Sequence, residues 1–160
     1  MADFSQIPWI KEHIELYRSD PEKAHMWDSS ELGGPGLLPT LLLTTKGRKS
    51  GEPRALPLIY GEADGSYVVI ASKGGMPNHP VWYLNLEAEP ACELQVGAKS
   101  LRARARVAEG EERERLWKQM ASSAARTMCA RVVPRVSPRI APRASMSQYG
   151  APRPVNAGTK

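Results

Sequence analysis

Eleven residues, Thr44-Thr45-Lys46-Gly47-Arg48-Lys49-Ser50-Gly51-Glu52-Pro53-Arg54, set four cations among glycines in what reads as a turn between two strands. That combination suits the gripping of an anion. Glycines let backbone N–H groups come close. Arg48 and Arg54 can each offer two parallel donors to a phosphate or carboxylate, and Lys49 adds a compact charge. The Walker pattern GxxxxGK[ST] is absent, so this is not a P-loop. A solvated basic turn is the competing reading for the segment taken alone.

A second loop of related chemistry follows. Ala71-Ser72-Lys73-Gly74-Gly75 brings a hydroxyl, a cation and two glycines to another strand end. Just after it, Asn78-His79-Pro80-Val81-Trp82-Tyr83-Leu84-Asn85 sets Trp82 and Tyr83 at a helix start. There a flat ring could lie on an indole while helix-end amides meet negative charge; core packing is the alternative for Trp82. His79 has no Cys, Asp or Glu at metal-ligand spacing, which favours a structural or capping role. The chain carries no GxSxG, HExxH or SxxK motif and no evident carboxylate pair. Cations, glycines and an aromatic with no reactive group of their own fit a borrowed cofactor that does the chemistry.

Short elements position these loops. Ile7, Ile10, Ile14 and Tyr17 recur at helical spacing, predicting an amphipathic helix that ends before Pro21. Gly33–Leu38 reads as a loop and Leu41–Thr45 as a buried strand. Ala55–Gly61 and Tyr67–Ser72 form a hairpin around Asp64-Gly65, a pair suited to positive φ. Pro80 suits a first helical position, and Pro90 stops the helix Val81–Glu89. Cys92–Val96 and Leu101–Val107 make a second hairpin around Gly97, in which Arg102, Arg104 and Arg106 alternate with small apolar residues and form a solvated face. Glu111–Met120 is a charged helix that turns Leu116, Trp117 and Met120 inward. At least five short strands and few helices predict a mainly β, α+β fold, a small antiparallel barrel.

The 160 residues fit one ordinary domain. No apolar run approaches the roughly 18–20 residues of a membrane-spanning helix, and the N-terminus lacks a signal-type apolar region, so a cytosolic chain is expected. Cys92 and Cys129, far apart and outside any CxxC, read as inert thiols. The formal charge of +5 is unevenly spread. Residues 1–114 hold all 17 acids against 13 Lys and Arg, a balance of −4, whereas residues 115–160 hold nine cations and no acid. Beyond about residue 121 comes a Pro/Arg-rich tail, 122–160, with Val-Val-Pro-Arg, Val-Ser-Pro-Arg and Ile-Ala-Pro-Arg in succession. Neither a helix nor a central strand should tolerate Pro134, Pro138 and Pro142, so the tail is expected to be extended, disordered or translated off-frame.

The strings LLLTTKGRKSGEPRALPLIY, YVVIASKGG and HPVWYLNLEAEP resemble the deazaflavin-dependent nitroreductases of actinobacteria, also called F-420-dependent quinone reductases. The likeness runs over Ile7–Met120 and is densest over residues 41–97. It implies a split β-barrel occupying residues 1–121, with reduced coenzyme F-420 as hydride donor and FMN as the weaker alternative. By the same resemblance, Arg48, Lys49, Ser50 and Arg54 hold the coenzyme's phosphate and oligoglutamate tail. Pro57, Ser72, Lys73, Gly74 and Trp82 surround its ring, and Ser72 bonds the acceptor oxygen that gains charge. The implied acceptor is a quinone or nitro-aromatic.

The family's tyrosine-bearing C-terminal segment and final apolar strand have no counterpart in the tail, where Tyr149 is the one tyrosine after Arg115. That departure leaves a non-catalytic binder of F-420 or an amphipathic ligand as the alternative function, and an unpaired barrel edge as a route to self-association. Nucleic acid is not an expected specific partner, because the excess positive charge lies in the tail. Peripheral contact with the inner face of the cell membrane is a secondary expectation resting on Trp9 beside the first helix's apolar stripe.

Overall fold

In the computed structural model, which describes residues 7–30, 33–73, 77–123 and 136–142, the first helix, α1 (Pro8–Ser19), opens on a proline whose missing N–H costs nothing there. It buries Ile10, His13, Ile14 and Tyr17 along one face. The sequence reading stopped at Pro21, but the chain starts a second short helix at that residue, α2 (Pro21–His25). Asp20 caps it by accepting a bond from the Lys23 N–H at 3.1 Å. A three-residue strand, β1 (Met26–Asp28), then pairs with the beginning of β2 (Leu37–Lys46). Residues 37 and 38, predicted as loop, are therefore strand.

The remaining strands are β3 (Pro53–Ala63), β4 (Ser66–Ile70), β5 (Ala91–Val96), β6 (Lys99–Val107) and β7 (Val136–Pro142). They run antiparallel in the order β2-β3-β4-β7-β6-β5, and a pairing of β5 with β2 closes the ring. The predicted mainly β barrel is thus present. Asp64 and Gly65, at φ 49° and 70°, turn β3 into β4 as the Asp-Gly pair implies. Leu41, Leu43, Val69 and Leu94, each at most 1% exposed, fill the barrel with Trp82, Tyr83 and Leu86 of α3 (Val81–Ala88). Against Ala63 and Val68, α4 (Gly110–Ser123) buries Leu116 and Met120.

One expectation fails outright. β7 comes from the segment read as unable to form a central strand, yet it lies between β4 and β6 and contains Pro138 and Pro142. Its register explains the tolerance. Val68 pairs with Arg139 and Ile70 with Val136, so the β4 ladder shifts beside Pro138, and Pro142 ends the strand. A missing N–H at a bulge or a terminus removes no regular ladder bond. Pro134 and the rest of the tail, residues 124–135 and 143–160, lie outside the described residues, as do the disordered and off-frame readings made for them.

A buried polar network ties α1 and α2 to β2. Tyr17 Oη donates to the Thr40 carbonyl at 2.5 Å, and His25 Nδ1 donates to the same oxygen at 3.0 Å. His13 Nε2 and Thr40 Oγ1 both donate to the Ala24 carbonyl, at 2.8 and 3.0 Å. Burial holds the His13 imidazole below its usual value, opposed by the Ala24 bond. The unfolded chain therefore takes up that proton first, and the stability it opposes is lost as pH falls through about 6.5. Thermal melting should drop between pH 7.5 and 5.5, and His13→Gln should flatten that slope; an unchanged slope would remove His13 as its source.

Candidate functional site

The cation loop is the turn from β2 to β3, and its backbone is closed by its own bonds. Gly47 N–H donates to the Glu52 carbonyl at 2.8 Å and Gly51 N–H to the Gly47 carbonyl at 2.7 Å. Gly51 has φ +73°, and a Cβ on Gly47 would lie 2.7 Å from Ser50 Oγ. The turn's shape thus requires a glycine at 51, and a side chain at 47 would have to displace Ser50. Arg48, Lys49, Ser50 and Arg54 are exposed around it, which is the presentation an anion site needs.

The sequence reading missed the residue that holds this loop in place. Asn85 of α3 is 2% exposed. Its Oδ1 accepts from the Arg48 N–H at 3.2 Å, and its Nδ2 donates to Thr45 Oγ1 at 3.1 Å. A buried carboxamide is tolerated when both halves are bonded, and here both go to the loop or its supporting strand. The signal was an asparagine in the middle of a short, mostly apolar helix, where propensity disfavours it.

Other predicted residues are distributed unevenly. Ser72 and Lys73 follow β4 and are half-buried, and Lys73 holds φ 48°, a left-handed backbone uncommon for a non-glycine residue. Gly74 lies outside the described residues. Ala71, next to Ser72, packs in the same cluster as Trp82, so the end of β4 and the start of α3 meet there. Trp82 itself is a core residue, 6% exposed and edge-on to Tyr83 with ring centroids 6.3 Å apart. It offers almost no free ring face. Pro57 pairs with Leu42, whose side chain packs under α1. Alternation along β3 therefore puts Pro57 on the face opposite Leu56 and Leu58, and it does not join Trp82. His79 stacks on Tyr83 at 4.3 Å, with Nδ1 buried and unbonded among the described residues. It does not cap α3, whose N-cap position is Pro80.

Against the outer face of the sheet, a groove of about 670 Å³ begins at Lys46, Gly51 and Pro53 and crosses β5 to Arg102 and Arg104. Cys92 lines it too, with its thiol pushed up to about 11 by burial and by Glu93. At neutral pH that sulfur is protonated and a poor nucleophile. Burial, with Glu62 adding, pushes the Tyr60 phenol up to about 12, so it too stays neutral. The site offers positive charge and hydrogen-bond donors, and the Cys92 thiol in the groove is not poised for acid–base work.

The sequence profile of the F420H(2)-dependent quinone reductases matches residues 12–135. F420H(2)-dependent quinone reductase Rv1261c of Mycobacterium tuberculosis is 41% identical over 115 residues, 68% of this chain and 76% of that protein. Putative F420H(2)-dependent quinone reductase Rv3178 of the same organism is 41% identical over 80 residues, 50% of this chain and 67% of that protein. Among solved structures, an F420-H2 dependent reductase, FDR-A, is 41% identical with a TM-score of 0.55, over 65% of this chain and 93% of its own. A chain described as a domain-swapped dimer is 34% identical with a TM-score of 0.56, over 84% of this chain and 97% of its own.

Asn85→Leu should cost about 1–3 kcal/mol, the penalty for leaving buried partners unmade. It should also speed amide hydrogen exchange at Arg48. Unchanged exchange there would mean that the loop holds its shape without α3.

Proposed function

The chain belongs to the F420H(2)-dependent quinone reductase family, and from that premise we propose an oxidoreductase whose cation loop holds coenzyme F-420 by its anionic end. Bound F-420 supplies the hydride, which passes to a quinone. The donor set fits the coenzyme. A phosphodiester carrying several carboxylates calls for concentrated positive charge on a pre-shaped backbone, and Arg48, Lys49 and Arg54 provide it around a turn that Asn85 fixes. This bonding of the loop to α3 is the observation that carries the reading.

Each residue then has a defined task. Arg48, Lys49, Ser50 and Arg54 bind the phosphate and the adjoining carboxylates. Lys73, in its left-handed backbone, borders the ring. Ser72 donates a hydrogen bond to the acceptor oxygen as it gains negative charge. Trp82 supports the site from the barrel core instead of stacking on the ring, and Pro57 stiffens β3 behind it. Holding donor and acceptor at contact distance lowers the barrier mainly through proximity and orientation.

Nitro-aromatics, electron-poor like quinones, are the second acceptor class. The domain-swapped relative supports self-association. Among the described residues no helix is long and apolar enough to cross a membrane. Our reading is a cytosolic enzyme touching the inner face of the membrane, where quinones reside. In its support, Trp9 is 41% exposed and stacks on Trp27 at 5.5 Å, with Met26 and Leu37 also exposed.

Arg48→Glu or Lys49→Glu should weaken F-420 binding about tenfold or more, followed by coenzyme fluorescence. Lys118→Glu, on the exposed side of α4, should change it less than about twofold. Equal losses from all three would sink the assignment of the loop. Ser72→Ala should slow the reoxidation of reduced F-420 by menadione about tenfold or more while leaving coenzyme affinity within about twofold; an unchanged rate would remove Ser72 from the chemistry.

A further inference from the structure

His79 carries a polar atom that the fold leaves unsatisfied. Its Nδ1 is buried and has no hydrogen-bond partner among the described residues, although buried polar atoms are nearly always paired and an unpaired one costs stability. Pro80, the next residue, brings no N–H that could serve it. Nor is the ring free to turn. It stacks on Tyr83 with centroids 4.3 Å apart and planes 21° from parallel. Tyr83 is itself pinned, 8% exposed in the barrel cluster, with its hydroxyl donating to the Glu87 carboxylate one helical turn on. Tyr83, Trp82 and Ala71 belong to that same cluster, so the imidazole stands where β4 gives way to Ser72 and Lys73 and α3 begins. At this one junction the chain thus combines an orphaned nitrogen with the left-handed backbone of Lys73. Departures of this kind gather where a ligand is held.

We propose that His79 is a recognition residue whose Nδ1 pairs with the polar edge of the coenzyme's ring. The inference rests on the reading of the neighbouring residues as the F-420 site. The pyrimidine half of a deazaflavin presents an imide edge, an N–H between two carbonyls, and the imidazole can meet it in either tautomer. An unprotonated Nδ1 accepts from the N–H, and a protonated one donates to a carbonyl. Because the stack on Tyr83 fixes the direction in which that atom points, the contact orients the ring as well as holding it. The cation loop reads charge, whereas His79 reads the shape of a heteroaromatic edge. The free protein bears the cost of the unbonded nitrogen and recovers it on binding, so stability is given up at this position for recognition.

The test titrates two fluorescent ligands, F-420 and the same deazaflavin ring on its ribityl chain without the phosphate, into the wild type, His79→Phe and Arg48→Glu. His79→Phe keeps a flat ring on Tyr83 and removes both nitrogens. It should weaken both ligands by the same factor, about five- to tenfold, and raise the melting temperature of the ligand-free protein by about 2–4 °C, the shift one relieved polar group gives in a chain of this size. Arg48→Glu should weaken F-420 and leave the phosphate-free ring within about twofold. In the wild type, nitrogen NMR of the imidazoles should show His79 Nδ1 moving when the phosphate-free ring is added, with His13 and His25 unmoved. Unchanged affinities in His79→Phe, or a still Nδ1 resonance, would overturn the proposal. So would a lower melting temperature in His79→Phe, because the imidazole would then be a support of the fold. If His79→Phe weakens both ligands while Arg48→Glu weakens neither, the loop assignment falls and the His79 contact stands.

Discussion

The carboxamide of Asn85 is the joint on which the site depends. Four cations in one short turn repel one another, and a turn held only by its own bonds would splay. Asn85 reaches from a buried helix to the Arg48 amide and the Thr45 hydroxyl, so the turn inherits the rigidity of the core. The same helix places Trp82 and Leu86 in the barrel. Helix position and loop shape are thereby coupled, and an arriving anion meets charges whose backbone is already ordered, which reduces the entropy lost on binding.

A second constraint acts on β2. It pairs with β3 on one side, and on the other with β1 at its start and β5 near its end. Its outer face is covered by α1 through Leu42 and open at Thr44 and Lys46. A ten-residue strand can serve both roles because alternation separates the faces and the helix packs on Leu42 rather than on the end of the strand at Thr44 and Lys46. The Tyr17, Thr40 and His13 bonds fix where that cover ends.

Legibility followed the range of the interaction. Alternation and the Asp64-Gly65 pair marked the hairpins, and glycines flanking cations marked the anion loop, since each of these is local. α2 and β1 were missed because elements of five and three residues carry no period. Asn85 was quoted in a motif but given no role, as its partners lie 37 and 40 positions away. Trp82 could be core or platform by type alone, and only its burial decides for core. β7 was misread because proline spacing argues against a regular ladder, whereas the ring needs a strand between β4 and β6 and its ladder to β4 is irregular where Pro138 lies. Sealing that gap removes two edges that would otherwise pair with other chains.

What distinguishes F-420 from a plain flavin nucleotide at this site is the density of negative charge beyond the ring. Parallel titration of the purified protein with F-420 and FMN at two salt concentrations measures that directly. The structure predicts that F-420 binds about tenfold or more tightly than FMN and that the advantage shrinks as salt rises. Equal affinity, or an FMN preference insensitive to salt, would contradict the claim that the Asn85-anchored cations select the cofactor.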